Sequence, residues 1–299
     1  MKAFIALVKR NVKVFFKDKG MFFTSLITPI ILLILYSTFL ATVYRDSFKS
    51  NLPQGFEVSE KLINGTVSGE LISSLLAVCC ITVAFCSNTL MADDRVKNTI
   101  NDFAVSPVRK TTIALAYFVS TLITTLIVTY LALLASLCYV AFTGWYMSVG
   151  DVFLLILDVF ILTTFGSAFS SIINSFLKTQ GQVSAFGTVI SAGYGFICGA
   201  YMPLSQFGEG LRNALMFLPG TYGTSLLRNH AMAGVFREME NQSFPTAVID
   251  GIKASVDCNI SFFSHPVSIG TMYLVVCLGT LLLVGAYVLI SFLKKRRNA

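Results

Sequence analysis

Six long stretches of the chain are almost free of charged residues, and each is about as long as a helix that crosses a lipid bilayer. The hydrocarbon core of a bilayer is about 30 Å thick and a helix rises about 1.5 Å per residue, so one crossing takes roughly 20 apolar residues. We therefore predict an all-α polytopic membrane protein with six transmembrane helices. The predicted spans are residues 21–44, 71–92, 111–142, 151–176, 183–202 and 267–293.

The first 20 residues have the pattern of an amphipathic helix. At about 100° per residue, apolar side chains such as Phe4, Val8 and Phe15 fall on one side and basic side chains on the other. Such a helix lies in the headgroup layer of a membrane. The pattern favours an interfacial elbow helix over residues 1–20, and a simple basic flank of the first span is the alternative. The candidate elbow residues are Lys9, Arg10, Lys13 and Phe15.

A short polar segment separates the second and third predicted spans. Asp93 and Asp94 suit a helix N-terminus, where exposed N–H groups favour negative charge, and Pro107 ends the helix. Apolar residues recur between them at helical spacing, at Val96, Ile100 and Phe103. We predict a helix over residues 93–106 that docks its apolar stripe into a groove on a cytosolic partner. A solvated loop with accidental periodicity is the alternative.

Two semi-apolar pieces follow the fifth predicted span, and each is too short to cross a bilayer. Pro219-Gly220 separates them. Two short helices that turn back form a re-entrant hairpin, which is tolerated only where protein or a watery cavity surrounds it. We predict such a hairpin over residues 203–234, acting as a gate on the outer side, and an extracytoplasmic segment over residues 235–266. An ordinary outer loop with two surface helices is the alternative.

The composition and charge agree with lipid as the main solvent. Of 299 residues, 55% are apolar and 12% are charged, whereas soluble proteins carry about 25% charged residues. This excludes a soluble enzyme. The net charge of +7 does not indicate nucleic acid, because 15 of the 22 basic residues lie on one side of the predicted spans. That asymmetry predicts a multi-pass plasma-membrane protein, in contact with the lipid bilayer, with both termini cytoplasmic.

Apart from Asp151, the first residue of the fourth span, the predicted spans contain one acidic residue, Asp158. Because a charge in hydrocarbon costs a few kcal/mol, we expect it to face the bundle interior or to lie near an interface. A structural role and a role in a transport pathway both remain open for Asp158, and also for Asn174 near the other end of the same helix. The chain has only two histidines and no metal-ligand spacing, so we expect no metal site.

Two groups of residues resemble motifs of one family, the permease subunit of type-2 ABC transporters, usually exporters. The first group is similar to the family's coupling segment and consists of Asp93-Asp94-Arg95, Thr99 and Ser106-Pro107. The second is similar to its Gly-x-x-x-Pro and Pro-x-x-Tyr…Arg pattern and consists of Gly199 to Pro203, Pro219 to Tyr222 and Arg228. The first match departs at Asn98, where the family often has Gly.

The resemblance implies that this chain pairs with a second permease copy or homologue and with separate ATPase subunits that bind ATP and Mg. It implies that the ATPase would contact Asp93, Asp94, Arg95, Asn98, Thr99, Ile100, Asp102, Phe103, Ser106 and Pro107. It also implies an outer gate that contains Pro203, Pro219, Tyr222 and Arg228.

The chain has no G-x-x-x-x-G-K-[ST] motif, so we expect no ATPase site and no cofactor within it. We predict a transporter subunit rather than an enzyme, with an amphipathic drug, lipid-linked glycan or peptide as substrate. A pore, receptor or scaffold without an energy source is the main alternative. An intramembrane enzyme is a further one, although the chain has no H-E-x-x-H and no G-x-S-x-G motif.

Overall fold

The computed structural model of the protein describes residues 1–50, 58–97, 99, 103, 108–177, 179–263 and 265–297. These residues are mostly helical. In chain order the helices are α1 (Lys2–Lys17), α2 (Lys19–Leu35), α3 (Ala41–Ser50), α4 (Glu60–Ser87), α5 (Thr89–Val96), α6 (Lys110–Thr143), α7 (Val149–Phe176), α8 (Gln180–Ile197), α9 (Glu209–Leu215), α10 (Pro219–Asn241), α11 (Thr246–Ser255) and α12 (Ile269–Arg297). The smaller elements are a π-helical turn (Tyr36–Leu40), a 3-10 turn (Leu204–Gln206) and the antiparallel strands β1 (Ser261–Phe262) and β2 (His265–Pro266).

Side-chain caps set the starts of several helices. The carboxylate of Asp18 accepts a hydrogen bond of 3.1 Å from the backbone N–H of Met21, and this separates α1 from α2. A capping box of Ser148 and Asp151 starts α7, and a second box starts α8. Because each cap satisfies N–H groups that a helix end leaves unpaired, the chain itself determines where these helices begin.

The fold is built around α4. Of the most apolar 18 residues of the stretch Glu60–Val96, 94% are buried, whereas the corresponding share is 17% for the stretches that contain α2 and α12. Helices α2, α6, α7, α8 and α10 pack around α4. A helix that is apolar on all sides is stable only when it is surrounded in this way. The outward faces of α2 and α12 remain apolar and exposed.

Close helix packing depends on glycine at two of the contacts. A Cβ atom added at Gly166 of α7 would lie 2.5 Å from the carbonyl oxygen of Cys80 of α4. A Cβ atom added at Gly234 of α10 would overlap the carbonyl oxygen of Tyr146. Small residues of this kind allow membrane helices to approach each other closely.

Five helical stretches in the described part of the chain are long and apolar enough to cross a membrane. They are Lys19–Asp46, Glu60–Val96, Lys110–Thr143, Val149–Phe176 and Ile269–Leu293. They contain most of the predicted first, second, third, fourth and sixth spans, and the prediction of an all-α multi-pass membrane fold is confirmed. At the predicted fifth span, α8 has 18 residues, and its glycine and glutamine residues make it less apolar. The six-span count stays a prediction.

The region of the predicted hairpin contains a longer helix than the sequence indicates. After the short α9, helix α10 runs for 23 residues and passes residue 234, where we expected the extracytoplasmic segment to begin. It packs against α4, α7 and α12 and buries most of its side chains. Helix α10 has few apolar residues for its length. It extends this far because its contacts with the neighbouring helices stabilise it. That α9 and α10 form a re-entrant hairpin stays a prediction.

Candidate coupling site

The structure describes half of the residues predicted to contact an ATPase. Asp93, Asp94 and Arg95 lie in α5, and Thr99 and Phe103 lie beyond it. The other five lie outside the described residues: Asn98, Ile100, Asp102, Ser106 and Pro107.

Helix α5 is shorter and starts earlier than the predicted helix over residues 93–106. Asn88 interrupts the long helix after Ser87, and α5 begins at the next residue. The Asn88 amide donates hydrogen bonds to the hydroxyls of Ser170 (3.2 Å) and Ser171 (3.1 Å), which fixes this junction to α7. Asp93 and Asp94 therefore lie in the second half of α5. The expectation that they begin a helix is wrong.

The side chain of Asp94 joins three helices. It is 4% exposed and pairs through both oxygens with Arg10 of α1, where the Nη2 to Oδ1 distance is 2.9 Å. The hydroxyl of Tyr117 in α6 donates to Asp94 Oδ2 at 2.6 Å. Bidentate, charge-assisted hydrogen bonds of this kind are stronger than neutral ones and fix the relative orientation of their partners. The hydrogen bond to Asp94 also raises the pKa of Arg10 above its ordinary value.

Arg10 also covers a predicted docking residue. Its guanidinium carbon lies 5.5 Å from the ring centroid of Phe103, which is a cation–π distance. The helical pattern groups Arg10 with the lysines of α1, but the structure turns it inward, while Lys9 and Lys13 are exposed and Phe15 is buried. Arg10 thus joins α1 to α5 and to the segment beyond it. The location of α1 in the headgroup layer stays a prediction.

Arg95 binds a different helix from Asp94, at the end of α7. Its Nη1 donates to the carbonyl oxygen of Asn174 at 3.1 Å and to that of Leu177. The last carbonyl groups of a helix have no partner within the helix and carry partial negative charge, so a guanidinium stabilises them. Two consecutive residues of α5 therefore bind different helices of the bundle: Asp94 binds α1 and α6, and Arg95 binds α7. Asn174 contributes its backbone carbonyl oxygen to this contact, near the C-terminal end of α7.

The predicted gate residues lie at the other end of the bundle. Arg228 is 1% exposed and donates to Asp257 Oδ2 (3.0 Å), Gly199 O (2.6 Å) and Ser74 Oγ (3.2 Å). Asp257 also accepts from the backbone N–H of Leu204 at 2.7 Å. Burial raises the pKa of Asp257 above its ordinary value, and the charge of Arg228 opposes this effect.

The other three gate residues surround this ion pair less directly. Pro203 precedes the 3-10 turn, and Pro219 is the first residue of α10. Tyr222 is buried in an apolar cluster with Leu204 and Met272. The structure thus connects the stretch after Pro203 with Arg228 through Asp257, while Tyr222 contributes packing. A gating role for these residues stays a prediction.

Asp158 is buried in the bundle interior. Its Oδ2 lies 2.6 Å from His230 Nδ1 in α10, and its Oδ1 accepts from the Tyr273 hydroxyl of α12 at 2.6 Å. These contacts join α7, α10 and α12. Asp158 and Asn174 are 16 residues apart on one helix, which is about 24 Å. The structure does not bring them together.

Several hydrogen-bond partners of the predicted site residues could not be identified from the sequence, because each is distant along the chain and belongs to a common residue type. Tyr117, His230, Tyr273 and Asp257 carry no local signal that distinguishes them. Glu70 is different. It lies one residue before the predicted second span, and α4 in fact begins at Glu60, so Glu70 is an acid within a long buried helix.

The family model of the ABC-2 type transporter matches residues 2–231. The match runs from α1 through most of α10 and includes α5, Arg10, Asp158 and Arg228. No curated protein sequence matches the chain. Because the matched region is well over half of the protein, the chain belongs to the ABC-2 type transporter family, as a membrane permease component that is not itself an ATPase.

Proposed function

We propose that this chain is the membrane permease of an ATP-driven exporter and that α5 receives the force of a separate ATPase. Permeases of this family normally work with an ABC ATPase subunit. In this proposal the ATPase binds ATP and Mg, and it presses on α5 and the residues that follow. Both termini, α1 and α5 are cytoplasmic, and the protein lies in the plasma membrane.

One observation carries the proposal: two adjacent residues of a short helix at the end of the bundle bind different helices of that bundle. Asp94 holds Arg10 and Tyr117, and Arg95 holds the end of α7. A displacement of α5 therefore acts on α1, α6 and α7 together. Removing one partner of a buried ion pair costs about 3–5 kcal/mol, so the bonded helices move with α5 rather than separate from it.

The outer end completes the transport cycle in this proposal. The region around Pro203, Pro219, Tyr222 and Arg228 opens when α4 and α10 change their packing, because Arg228 bonds to Ser74 of α4 and to Gly199 after α8. The substrate is an amphipathic drug, lipid-linked glycan or peptide. The exposed apolar faces of α2 and α12 are covered by lipid and by a second permease copy.

The decisive experiment separates ATP hydrolysis from transport. The permease is reconstituted in liposomes with a candidate ABC ATPase subunit that purifies with it, and both ATP hydrolysis and ATP-dependent transport of a fluorescent amphipathic dye are measured. We expect Asp94→Asn to retain ATP hydrolysis and to lower transport at least about tenfold, because the neutral amide no longer holds Arg10. The variants are compared with a dye that the wild-type permease transports.

Asp250→Asn is the matched control, because it makes the same change at an exposed residue of α11, at the other end of the bundle from α5. We expect it to transport at close to the wild-type rate. Equal transport by Asp94→Asn and wild type would contradict the role of α5. A permease that does not purify with the ATPase in mild detergent with ATP would instead favour a pore, receptor or scaffold.

A further inference from the structure

A cavity of about 240 Å³ lies at the end of the bundle away from α5. It is enclosed by α3, α4, the 3-10 turn and α11. Sites for drug-sized ligands are about 300–1,000 Å³, so this one suits a smaller molecule. The lining residues that matter here are Tyr44, Phe48, Val67, Glu70, Gln206 and Ile252.

Glu70 places an unpaired carboxylate in the wall of this cavity. The residue is 6% exposed and lies about 25 Å from the end of α4 at Ser87. Within the described part of the chain, its carboxylate forms no hydrogen bond and no ion pair. An isolated buried carboxylate is costly, and proteins compensate for it with a cation or a proton.

The nearest guanidinium does not provide that compensation. Arg228 interacts electrostatically with both Glu70 and Asp257, but its hydrogen bonds go to Asp257, Gly199 and Ser74. Two carboxylates therefore share one positive charge. When both carboxylates are ionised, the group has one negative charge in excess, and Glu70 lies at the cavity wall, where a cation could balance it.

A second polar atom on the same wall is also free. The Tyr44 hydroxyl is buried and has no hydrogen-bond partner among the described residues. Tyr44 and Phe48 in addition present aromatic rings to the cavity, while Val67 and Ile252 are aliphatic. An ammonium group supplies hydrogen-bond donors for the two free oxygens, and aromatic faces attract cations.

This lining discriminates between kinds of cation. Among the described lining residues Glu70 is the one carboxylate, and the other side-chain oxygens, on Tyr44, Thr66, Ser205, Gln206 and Ser255, are neutral. A hard divalent ion such as Ca²⁺ would therefore be only half neutralised here. The aliphatic and aromatic residues instead match a short hydrocarbon chain. We propose that the cavity binds a small primary organic ammonium ion, with its charge on Glu70 and its alkyl part against Phe48 and Val67.

The test uses the purified full-length chain in lipid nanodiscs, without an ATPase, so it is independent of the coupling proposal. Isothermal titration calorimetry measures binding of n-butylammonium chloride at constant ionic strength. n-Butanol tests the alkyl part without the charge, and sodium chloride tests the charge without the alkyl part. We expect saturable binding of n-butylammonium and no comparable binding of the other two.

The variant Glu70→Gln keeps the size of the side chain and removes its charge. We expect it to weaken n-butylammonium binding at least about tenfold, because loss of one partner of a buried ion pair has an effect of that size or more. Tyr44→Phe keeps the ring and removes one hydrogen bond, so binding should weaken by about three- to tenfold. Glu240→Gln on the exposed side of α10 is the control and should bind like wild type.

Misfolding does not confound this experiment, because Glu70→Gln removes an unpaired charge and should unfold at the wild-type temperature or above. Absence of saturable n-butylammonium binding to wild type would overturn the proposal. Equal affinity of Glu70→Gln and wild type would overturn it as well. Binding of sodium as strong as that of n-butylammonium would assign the cavity to a metal cation instead.

Discussion

Asp94 and Arg95 are neighbours in the chain, but their side chains bind different helices: Asp94 binds α1 and α6, and Arg95 binds the end of α7. Arg228 and Arg237 show a second contrast on one helix, α10. Arg228 is buried against Asp257, whereas the side chain of Arg237 is 49% exposed and pairs with Asp151 at the surface. At the scale of single residues, the sequence supplies the charge, and burial decides how much its ion pair contributes to the free energy of unfolding.

The contrast predicts unequal effects of the same substitution. Arg228→Gln leaves Asp257 and Glu70 without a counter-charge, so we expect a loss of about 3–5 kcal/mol in unfolding free energy. Arg237→Gln should cost about 1 kcal/mol or less, because water screens the half-exposed Arg237 and the buried Asp151 keeps its hydrogen bond from the backbone N–H of Ser148. Thermal unfolding of both variants in the same detergent measures the difference. Similar unfolding temperatures would contradict the view that the buried ion pair holds the outer end together.

At the scale of elements, the apolar runs indicate where most helices lie, and the contacts decide where they end. Helix α4 begins at Glu60, well before the predicted span at residue 71, because neighbouring helices bury its polar first half. Helix α10 extends past residue 234 for the same reason. Helix α5 starts at Thr89 rather than at residue 93, because Asn88 bonds to α7 and separates α5 from α4.

Close packing of α4 on α7 gives a prediction for single glycines. Gly166→Ala would place a methyl group 2.5 Å from the Cys80 carbonyl oxygen, so the two helices must separate. We expect a loss of about 1–3 kcal/mol, as for other overpacked cores. Gly285→Ala in α12 is the control, because no atom lies within 4 Å of the added group. Thermal unfolding distinguishes them, and equal stability would show that α7 can shift at little cost.

At the scale of the whole molecule, one end of the bundle carries α1 and α5, and the other carries the cavity and the buried Arg228–Asp257 pair. The basic residues concentrate on the α1 side of the predicted spans. The two ends therefore differ in charge, in packing and in their proposed roles. In the proposed mechanism, coupling between the two ends runs through the length of α4, α6 and α7.

The charge asymmetry predicts the orientation of the protein in the membrane. We expect Lys13→Cys, exposed on α1, to react with a membrane-impermeant maleimide only after cells are permeabilised. Ala247→Cys, exposed on α11, should react in intact cells. Wild type provides the background from the native cysteines. The reverse pattern would place α5 outside the cell and would exclude contact with a cytosolic ATPase.

Hydropathy, charge and local motifs suffice to identify a multi-pass helical membrane protein and its family, because a bilayer requires long apolar helices and places basic residues asymmetrically. Capping residues such as Ser148 are also readable locally. The pairs Arg10–Asp94, Asp158–His230 and Arg228–Asp257 are not, since they join residues that are 84, 72 and 29 positions apart. Tertiary structure alone decides which polar groups meet, because burial makes a few pairings strong among many that the sequence permits.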